Sequence, residues 1–213
     1  MEKIVNNFQN IRSSINNSNV NIIAVSKTFS LDRIKPLIDF GHNHFGENKV
    51  QEARQKWLNI RKDHSKLQLH MIGKLQTNKA KDAVELFDYI HSVDNEKLAN
   101  ALGKYENLLN KKNKYFIQVN IGNEIQKGGI GIEKLSDFYF FCKEISLNVV
   151  GLMCIPPNDK NSKNYFNKLS ELNKSLKLDQ LSMGMSADYL DAAQCGSTFV
   201  RIGNALFGDR AVK

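Results

Sequence analysis

Apolar residues along the chain follow a repeating pattern in which a short apolar run, a polar turn and a stretch with helical spacing succeed one another. Short runs rich in β-branched residues are typical of strands that are buried on both faces. Eight such runs predict strands at 22–25, 42–46, 67–72, 89–93, 114–121, 148–155, 178–183 and 198–202. One further helix is predicted before the first strand by Ile4, Phe8, Ile11 and Ile15.

The regular alternation of strands and helices predicts parallel strands that are joined by helical crossovers. Eight units favour a closed (β/α)8 TIM barrel of the α/β class, with an extra N-terminal helix, as a single domain over residues 1–213. An open doubly wound sheet is the alternative, because the strand at 42–46 is short and its loss would change the count.

Composition and charge narrow the class of protein. A hydrophobic content of 41% with 24% charged residues is ordinary for a globular protein. No apolar run approaches membrane-spanning length, and the first helix lacks the core of a signal peptide. The net charge of +8 raises the question of nucleic acid, but the lysines are scattered and aromatic residues do not alternate with them. We therefore expect a cytoplasmic monomer that binds neither membrane nor nucleic acid.

Neither the cysteines nor the histidines have the spacing of a metal site. The three cysteines are far apart and form no CxxC pair, so the sequence supports neither a disulfide framework nor a zinc site. The histidines lack suitably spaced carboxylate or cysteine partners. Those histidines are His42, His44, His64, His70 and His91. We predict no metal.

The candidate chemistry begins at Lys27, which follows the first apolar run at its carboxyl end. Burial of an ammonium without a partner is costly, so a lysine at this place has two interpretations. The side chain either points into solvent, or is held in a pocket where a lowered pKa leaves its amine able to form a Schiff base. The rest of the chain has to decide between them.

The barrel would gather distant residues on the edge where its strands end, which is where active sites of this fold lie. Lys27, Asn48 and Gly73 follow the first three predicted strands, and Arg201 and Gly203 end the last. The loops after the last two strands are the usual phosphate site of such barrels. Groups suited to binding phosphate there are Ser182, Gly184, Ser186, Gly203 and the N-terminus of a helix that Ser186 is predicted to cap.

A lysine able to form an imine and a phosphate site on the same edge point to pyridoxal 5′-phosphate (PLP) as the ligand. Taken separately, the Ser182–Ser186 stretch could be a plain strand-to-helix turn, and Arg201 could belong to a structural ion pair. Their joint placement with Lys27 favours the ligand.

Six ordered motifs resemble those of the YggS/PROSC-type pyridoxal phosphate homeostasis proteins, which are related to the barrel domain of alanine racemase. The match covers nearly the whole chain. The motifs are AVSK at 24–27, FGENKVQE at 45–52, HMIGKLQTNK at 70–79, GLMCIPP at 151–157, LSMGMS at 181–186 and VRIGNALFG at 200–208. Two departures occur: Lys74 stands where the family often has His or Pro, and Cys154 where it often has Ala or Thr.

The resemblance implies that Lys27 carries PLP as a Schiff base and that Arg201 faces the pyridine nitrogen. It implies that Asn48 lines the surroundings of the ring. The phosphate would be held by Ser186 and Gly203, with Ser182 and Thr198 as further contributors.

The resemblance also bears on catalysis. A permanently charged arginine disfavours a protonated pyridine ring, and the racemase relatives complete their site with a second domain and a dimer partner. Because this chain ends at the barrel, we expect no catalytic residue and a PLP carrier that exchanges its cofactor with PLP-dependent apoenzymes. The alternatives are a PLP-dependent amino-acid racemase or lyase, and a Schiff-base aldolase without PLP.

Overall fold

Eight parallel strands close into a barrel in sequence order, and the first strand pairs with both the second and the last. The computed structural model describes residues 2–159 and 161–208. This architecture confirms the predicted (β/α)8 barrel and excludes the open sheet. The strands are β1 (Asn21–Val25), β2 (His44–Glu47), β3 (Gln68–Met71), β4 (Tyr89–Val93), β5 (Lys114–Val119), β6 (Val149–Cys154), β7 (Gln180–Met185) and β8 (Phe199–Ile202).

Helices occupy the connections and cover the outside of the barrel. The first helix precedes β1, as predicted, and buries Ile4, Ile11 and Ile15. The helices are α1 (Glu2–Ile15), α2 (Leu31–Asp39), α3 (Val50–Trp57), α4 (Ile60–Asp63), α5 (Ala80–Leu86), α6 (Glu96–Leu109), α7 (Leu135–Glu144), α8 (Ser162–Ser175), α9 (Tyr189–Gln194) and α10 (Asn204–Phe207). Among the described residues, no helix combines the length and the apolar character that crossing a membrane requires.

Apolar side chains form two separate clusters. The larger one fills the layer between the strands and the surrounding helices. The smaller one lies inside the barrel and consists of Ile23, Tyr89, Phe116, Met153 and Phe199. Because strand side chains alternate between the two faces, the inner cluster identifies which positions of each strand point into the barrel.

Two elements differ from the sequence-based prediction. The helix predicted to continue from Val50 to Ile60 divides, since α3 ends at Trp57 and α4 begins at Ile60. Strand β7 continues to Met185, past the predicted end at 183, and its register with β8 shifts within this part. Gly184 makes the shift possible, because its φ is +91° and a Cβ there would lie 2.4 Å from Cβ of Ala192.

Candidate functional site

Lys27 lies on the carboxyl edge of the barrel, two residues beyond the end of β1, and is half-buried. The residue before it, Ser26, is fully buried and donates its backbone N–H to the carbonyl oxygen of Gly46 at 2.9 Å. The residue after it, Thr28, has a φ of +67°. A β-branched residue adopts this left-handed conformation only at an energetic cost, so the loop that carries Lys27 is strained.

A group of buried and partly buried side chains holds this loop from the α3 side. We call it the Lys56 cluster, and it consists of Glu47, Glu52, Lys56 and Trp57. Nζ of Lys56 donates to the carbonyl oxygen of Ser26 at 2.8 Å and pairs with Oε1 of Glu47 at 2.9 Å and of Glu52 at 3.3 Å. Oε1 of Glu47 also accepts from the hydroxyl of Ser26 at 2.7 Å and from Nε1 of Trp57 at 3.0 Å. Charged groups therefore fix the backbone just before Lys27.

The same cluster reaches the other side of the lysine. Oε1 of Glu52 accepts the backbone N–H of Thr28 at 2.5 Å. The side chain of Glu47 is completely buried, and its second oxygen, Oε2, has no partner among the described residues. A buried carboxylate of this kind depends strongly on its cation, so Lys56 is a structural requirement of the loop that holds Lys27.

Asn48 comes directly after β2, and the loop that follows β3 packs tightly against it. A Cβ on Gly73 would lie only 2.5 Å from the carbonyl oxygen of Asn48, so this contact requires glycine. A cavity of about 570 Å³ opens beside Asn48 and includes three lysines along its lining, Lys49, Lys74 and Lys79. The unusual Lys74 thus adds positive charge to a groove next to the site, where an anionic ligand would be favoured.

Arg201 points into the barrel from β8, where its Cα pairs in register with that of Ile23. The residue is 4% exposed. Its Nη1 donates to the carbonyl oxygen of Ser182 at 2.7 Å and to the hydroxyl of Ser182 at 2.8 Å, and its Nη2 donates to the carbonyl oxygen of Cys154 at 2.8 Å. Neutral oxygens on two neighbouring strands therefore fix the plane of the guanidinium.

The hydrogen bonds of Arg201 leave room for a ligand. They use three of its five N–H groups, and none of the ion pairs among the described residues includes it. Desolvation by burial lowers the pKa of this guanidinium, although an arginine still stays charged at neutral pH. A buried cation with two N–H groups to spare and no carboxylate partner suits a ligand that offers an acceptor atom, and a pyridine nitrogen is such an acceptor.

Ser186 and Gly203 come together where the loops after β7 and β8 meet. The hydroxyl of Ser186 accepts the backbone N–H of Ala205 across a long contact of 3.5 Å, and Gly203 is the N-cap residue of α10. One expectation was wrong: Ser186 does not cap the following helix, because Asp188 is the N-cap residue of α9. The intervening turn is held instead by Asp188, whose Oδ1 accepts the backbone N–H of Met185 at 2.6 Å. Ser186 is thereby left on the edge of the barrel.

Ser182 and Thr198 lie away from that edge. Ser182 is completely buried on β7, inside the barrel, where it supports Arg201. Thr198 precedes β8 at the opposite end of the barrel, and its hydroxyl bonds the backbone N–H and carbonyl of Leu181 at 2.9 Å and 3.1 Å. The structure therefore separates both hydroxyls from Ser186 and Gly203, and we leave them out of the phosphate site.

Three histidines that the sequence analysis set aside form a continuous chain inside the barrel. His44 Nδ1 lies 3.0 Å from His70 Nε2, His70 Nδ1 lies 2.9 Å from His91 Nε2, and His91 Nδ1 lies 2.8 Å from the hydroxyl of Ser182. We call these residues, with Ser182 and Arg201, the histidine chain. The sequence signal for it was that each of the three histidines occupies a position on a predicted strand whose side chain points into the barrel. Within 2–159 and 161–208, no group of three potential ligands could hold a metal ion.

The fold and this site define a barrel of the kind that forms the N-terminal domain of alanine racemase, and the family model "Alanine racemase, N-terminal domain" matches residues 1–211. Within that class, the chain belongs to the family of pyridoxal phosphate homeostasis proteins. It is 36% identical over 230 residues to the pyridoxal phosphate homeostasis protein of Vibrio cholerae, with 99% of this chain and 98% of that protein covered. The corresponding protein of Aquifex aeolicus is 39% identical over 199 residues and covers 89% of this chain and 86% of its own length.

A solved structure extends the comparison to three dimensions. PipY of Synechococcus elongatus, with PLP bound, is 34% identical to this chain and superposes with a TM-score of 0.88, covering 96% of this chain and all of the other. Together these relatives confirm the family that the six motifs indicated.

Proposed function

We propose that this protein binds PLP and serves in PLP homeostasis, holding the cofactor through a Schiff base on Lys27. The observation that carries the proposal is Arg201, a buried cation that has no carboxylate partner among the described residues and keeps two N–H groups for a ligand. It lies on β8, which pairs with the strand that leads to Lys27. The PLP-bound structure of PipY and the names of the curated relatives support the choice of ligand.

When PLP is bound, its aldehyde supplies a carbonyl that condenses reversibly with a primary amine. The protein supplies the rest. The Lys56 cluster holds the backbone on both sides of Lys27, which fixes the direction in which its side chain leaves the chain. Arg201 would donate to the pyridine nitrogen, and Ser186 with the backbone at Gly203 would bind the phosphate. Asn48 bounds the ring on the side of β2.

We further propose that the protein is a carrier without robust catalytic activity, with PLP-dependent apoenzymes as its partners. Arg201 is positively charged and cannot accept a proton, so it does not favour protonation of the ring nitrogen that most PLP enzymes use to stabilise a carbanion. Amino-acid racemase or lyase activity is the alternative. Exchange of the Cα hydrogen of amino acids with deuterium separates the two, because rapid exchange with any one amino acid would contradict the carrier.

Borohydride reduction followed by peptide mass spectrometry tests the ligand and the anchor together. The protein loaded with PLP is expected to carry the phosphopyridoxyl mass on the peptide that contains Lys27, and Lys27→Ala should lose it. Lys74→Ala, which changes an exposed lysine near the same edge, is the matched control and should keep the label. Label on another lysine would overturn the anchor, and no label in any variant would overturn PLP binding.

A further inference from the structure

The histidine chain connects two distant parts of the barrel. It starts at His44, next to a cavity of about 300 Å³ at the amino ends of β1 and β2, where Arg12 and His42 also lie. It passes through His70 and His91, which are both completely buried. It ends at Arg201, which faces the proposed ligand. Every link is 3.0 Å or shorter, so each is a hydrogen bond of ordinary length.

The chemistry of Arg201 sets the direction of these bonds. A guanidinium can only donate, so the hydroxyl oxygen of Ser182 accepts from Nη1 of Arg201 and keeps its own proton to give away. Among the described residues, the only other partner of that oxygen is Nδ1 of His91. The hydroxyl of Ser182 therefore donates to Nδ1 of His91, since the reverse arrangement would leave a buried hydroxyl proton without an acceptor.

The direction of this hydrogen bond also determines which nitrogen donates in each hydrogen bond between the histidines. With Nδ1 as an acceptor, a neutral His91 carries its proton on Nε2 and donates to Nδ1 of His70. By the same reasoning, Nε2 of His70 donates to Nδ1 of His44. All three rings hold the same tautomer, and every internal donor and acceptor of the chain is satisfied.

The surroundings of the rings keep them neutral. Phe116 stacks on His91 at 4.3 Å between ring centroids, and Tyr89 stacks on His70 at 4.4 Å. Desolvation, aided by the charge of Arg201, holds the pKa of His91 well below its usual value, and desolvation with neighbouring histidines does the same for His70.

The charged groups near His44 are Lys114 and Asp88. Desolvation, followed by the charge of Lys114, lowers the pKa of His44, and Asp88 opposes them. All three rings of the chain are therefore neutral at pH 7.

We propose that His91, supported by His70 and His44, is a positioning residue for Arg201 and acts through the hydroxyl of Ser182. By accepting that hydroxyl's proton, His91 turns a lone pair of Ser182 towards Nη1 of Arg201 and fixes the rotation of the guanidinium. The two remaining N–H groups of Arg201 are then held towards the ring of the ligand. The effect on the ligand rests on the proposed PLP site, whereas the tautomers of the chain do not.

The first test uses the protein without PLP. Nitrogen-15 NMR of the histidine side chains at pH 7.5 should show His44, His70 and His91 as neutral rings protonated on Nε2. Ser182→Ala removes the hydroxyl proton and should change the Nδ1 signal of His91. Protonation of His91 on Nδ1, or a charged ring at His70 or His91, would overturn the chain, whatever the protein binds.

The second test measures PLP binding with three variants. His91→Phe keeps the aromatic packing but breaks the chain, and should weaken PLP binding by about tenfold, the size expected when a hydrogen bond that orients a charged group is lost. His91→Gln offers both an acceptor and a donor and should recover most of the affinity. His64→Gln, at an exposed histidine, is the matched control.

The outcomes of the two tests are distinguishable. Affinity and visible spectrum of His91→Phe equal to those of His64→Gln would overturn the positioning role. If His91→Phe fails to fold, Ser182→Ala takes its place in the binding measurement with the same expected loss. If the unmodified protein itself binds no PLP, the proposed function fails, and the NMR result alone decides whether the chain has the stated direction.

Discussion

The backbone N–H of Thr28 donates to Oε1 of Glu52 at 2.5 Å, although the two residues lie on separate elements of the barrel. This bond holds Thr28 in a left-handed conformation with a φ of +67°. Strain next to a reactive residue is typical of sites in which the surrounding structure fixes the geometry in advance. Here the strained position directly follows Lys27, the proposed anchor, and the Lys56 cluster holds the backbone on both sides of it.

Replacement of Thr28 by glycine should relieve this strain. Glycine adopts positive φ without a steric penalty, while the threonine costs roughly 1–2 kcal/mol there, partly offset by the greater chain entropy of glycine. We expect Thr28→Gly to raise the free energy of unfolding by about 0.5–1 kcal/mol in urea denaturation. Asn110→Gly is the control, because Asn110 has a φ of +49° and asparagine tolerates this region, so its change should be smaller. Destabilisation by Thr28→Gly would contradict the strain.

Removal of the cation from the Lys56 cluster should greatly lower the free energy of unfolding. Lys56→Met leaves the buried carboxylate of Glu47 uncompensated, which costs about 3–5 kcal/mol. Adding Glu47→Gln to the same variant should restore part of the loss, because no buried charge then remains unpaired. Lys35→Met is the control, since Lys35 pairs with Asp39 on the surface and such pairs contribute less than about 1 kcal/mol. Urea denaturation measures all of them, and equal losses for Lys56→Met and Lys35→Met would contradict the role of the cluster.

Lysine should not be able to replace arginine in the variant Arg201→Lys. The guanidinium reaches Ser182 and Cys154 at once, and a single ammonium cannot reproduce that planar arrangement. We expect PLP affinity to fall by at least tenfold, measured by absorbance titration, because the geometry of the donors that face the ring is lost. Arg54→Lys, at an exposed arginine that pairs with Glu85, should leave the affinity unchanged. If Arg201→Lys binds PLP as tightly as the unmodified protein, Arg201 does not belong to the PLP site.

The protein should lose stability on mild acidification. Desolvation lowers the pKa of His42 from 6.5 to about 4. The unfolded chain therefore binds more protons than the folded protein between these values, and stability is complete above pH 6.5 and falls as the pH decreases towards 4. For His42 alone the loss amounts to about 2 kcal/mol at pH 5 and about 3 kcal/mol once the pH has fallen below 4. Urea denaturation of the unmodified protein at pH 7.5 and pH 5 should show this decrease, and His42→Phe should make it smaller. If stability falls as much between pH 7.5 and pH 5 in His42→Phe as in the unmodified protein, groups other than His42 cause the decrease.

The regular part of the fold was predictable because it depends on local periodicity. The apolar runs of the strands and the helical spacing of residues such as Val50, Ala53 and Trp57 are visible in the sequence, and all three are buried. The error at Ser186 arose where a single residue changes the path of the chain. Gly184 lets β7 continue and shift its register, which moved the helix cap to Asp188.

The histidine chain was not predictable in the same way. It depends on which residues of five strands face inward and on the register between those strands, and neither is a local property. His91 and Ser182, for example, are far apart in sequence and meet across the interior of the barrel. Thr198 illustrates the same dependence, because its sequence distance from Arg201 gives no measure of its distance along the barrel axis. It directly precedes β8, so the structure places it at the amino end of the barrel.

The pairing of β1 with β8, with Ile23 opposite Arg201, joins the first strand of the sheet to the last. Lys27 follows β1, and Arg201 and Gly203 belong to the end of β8 and the residue after it. During synthesis on the ribosome, the amine therefore emerges long before the residues that would recognise the rest of the ligand. A nascent chain cannot form the complete site until the last strand has closed the barrel, so retention of the cofactor would report that synthesis and folding of this region are finished.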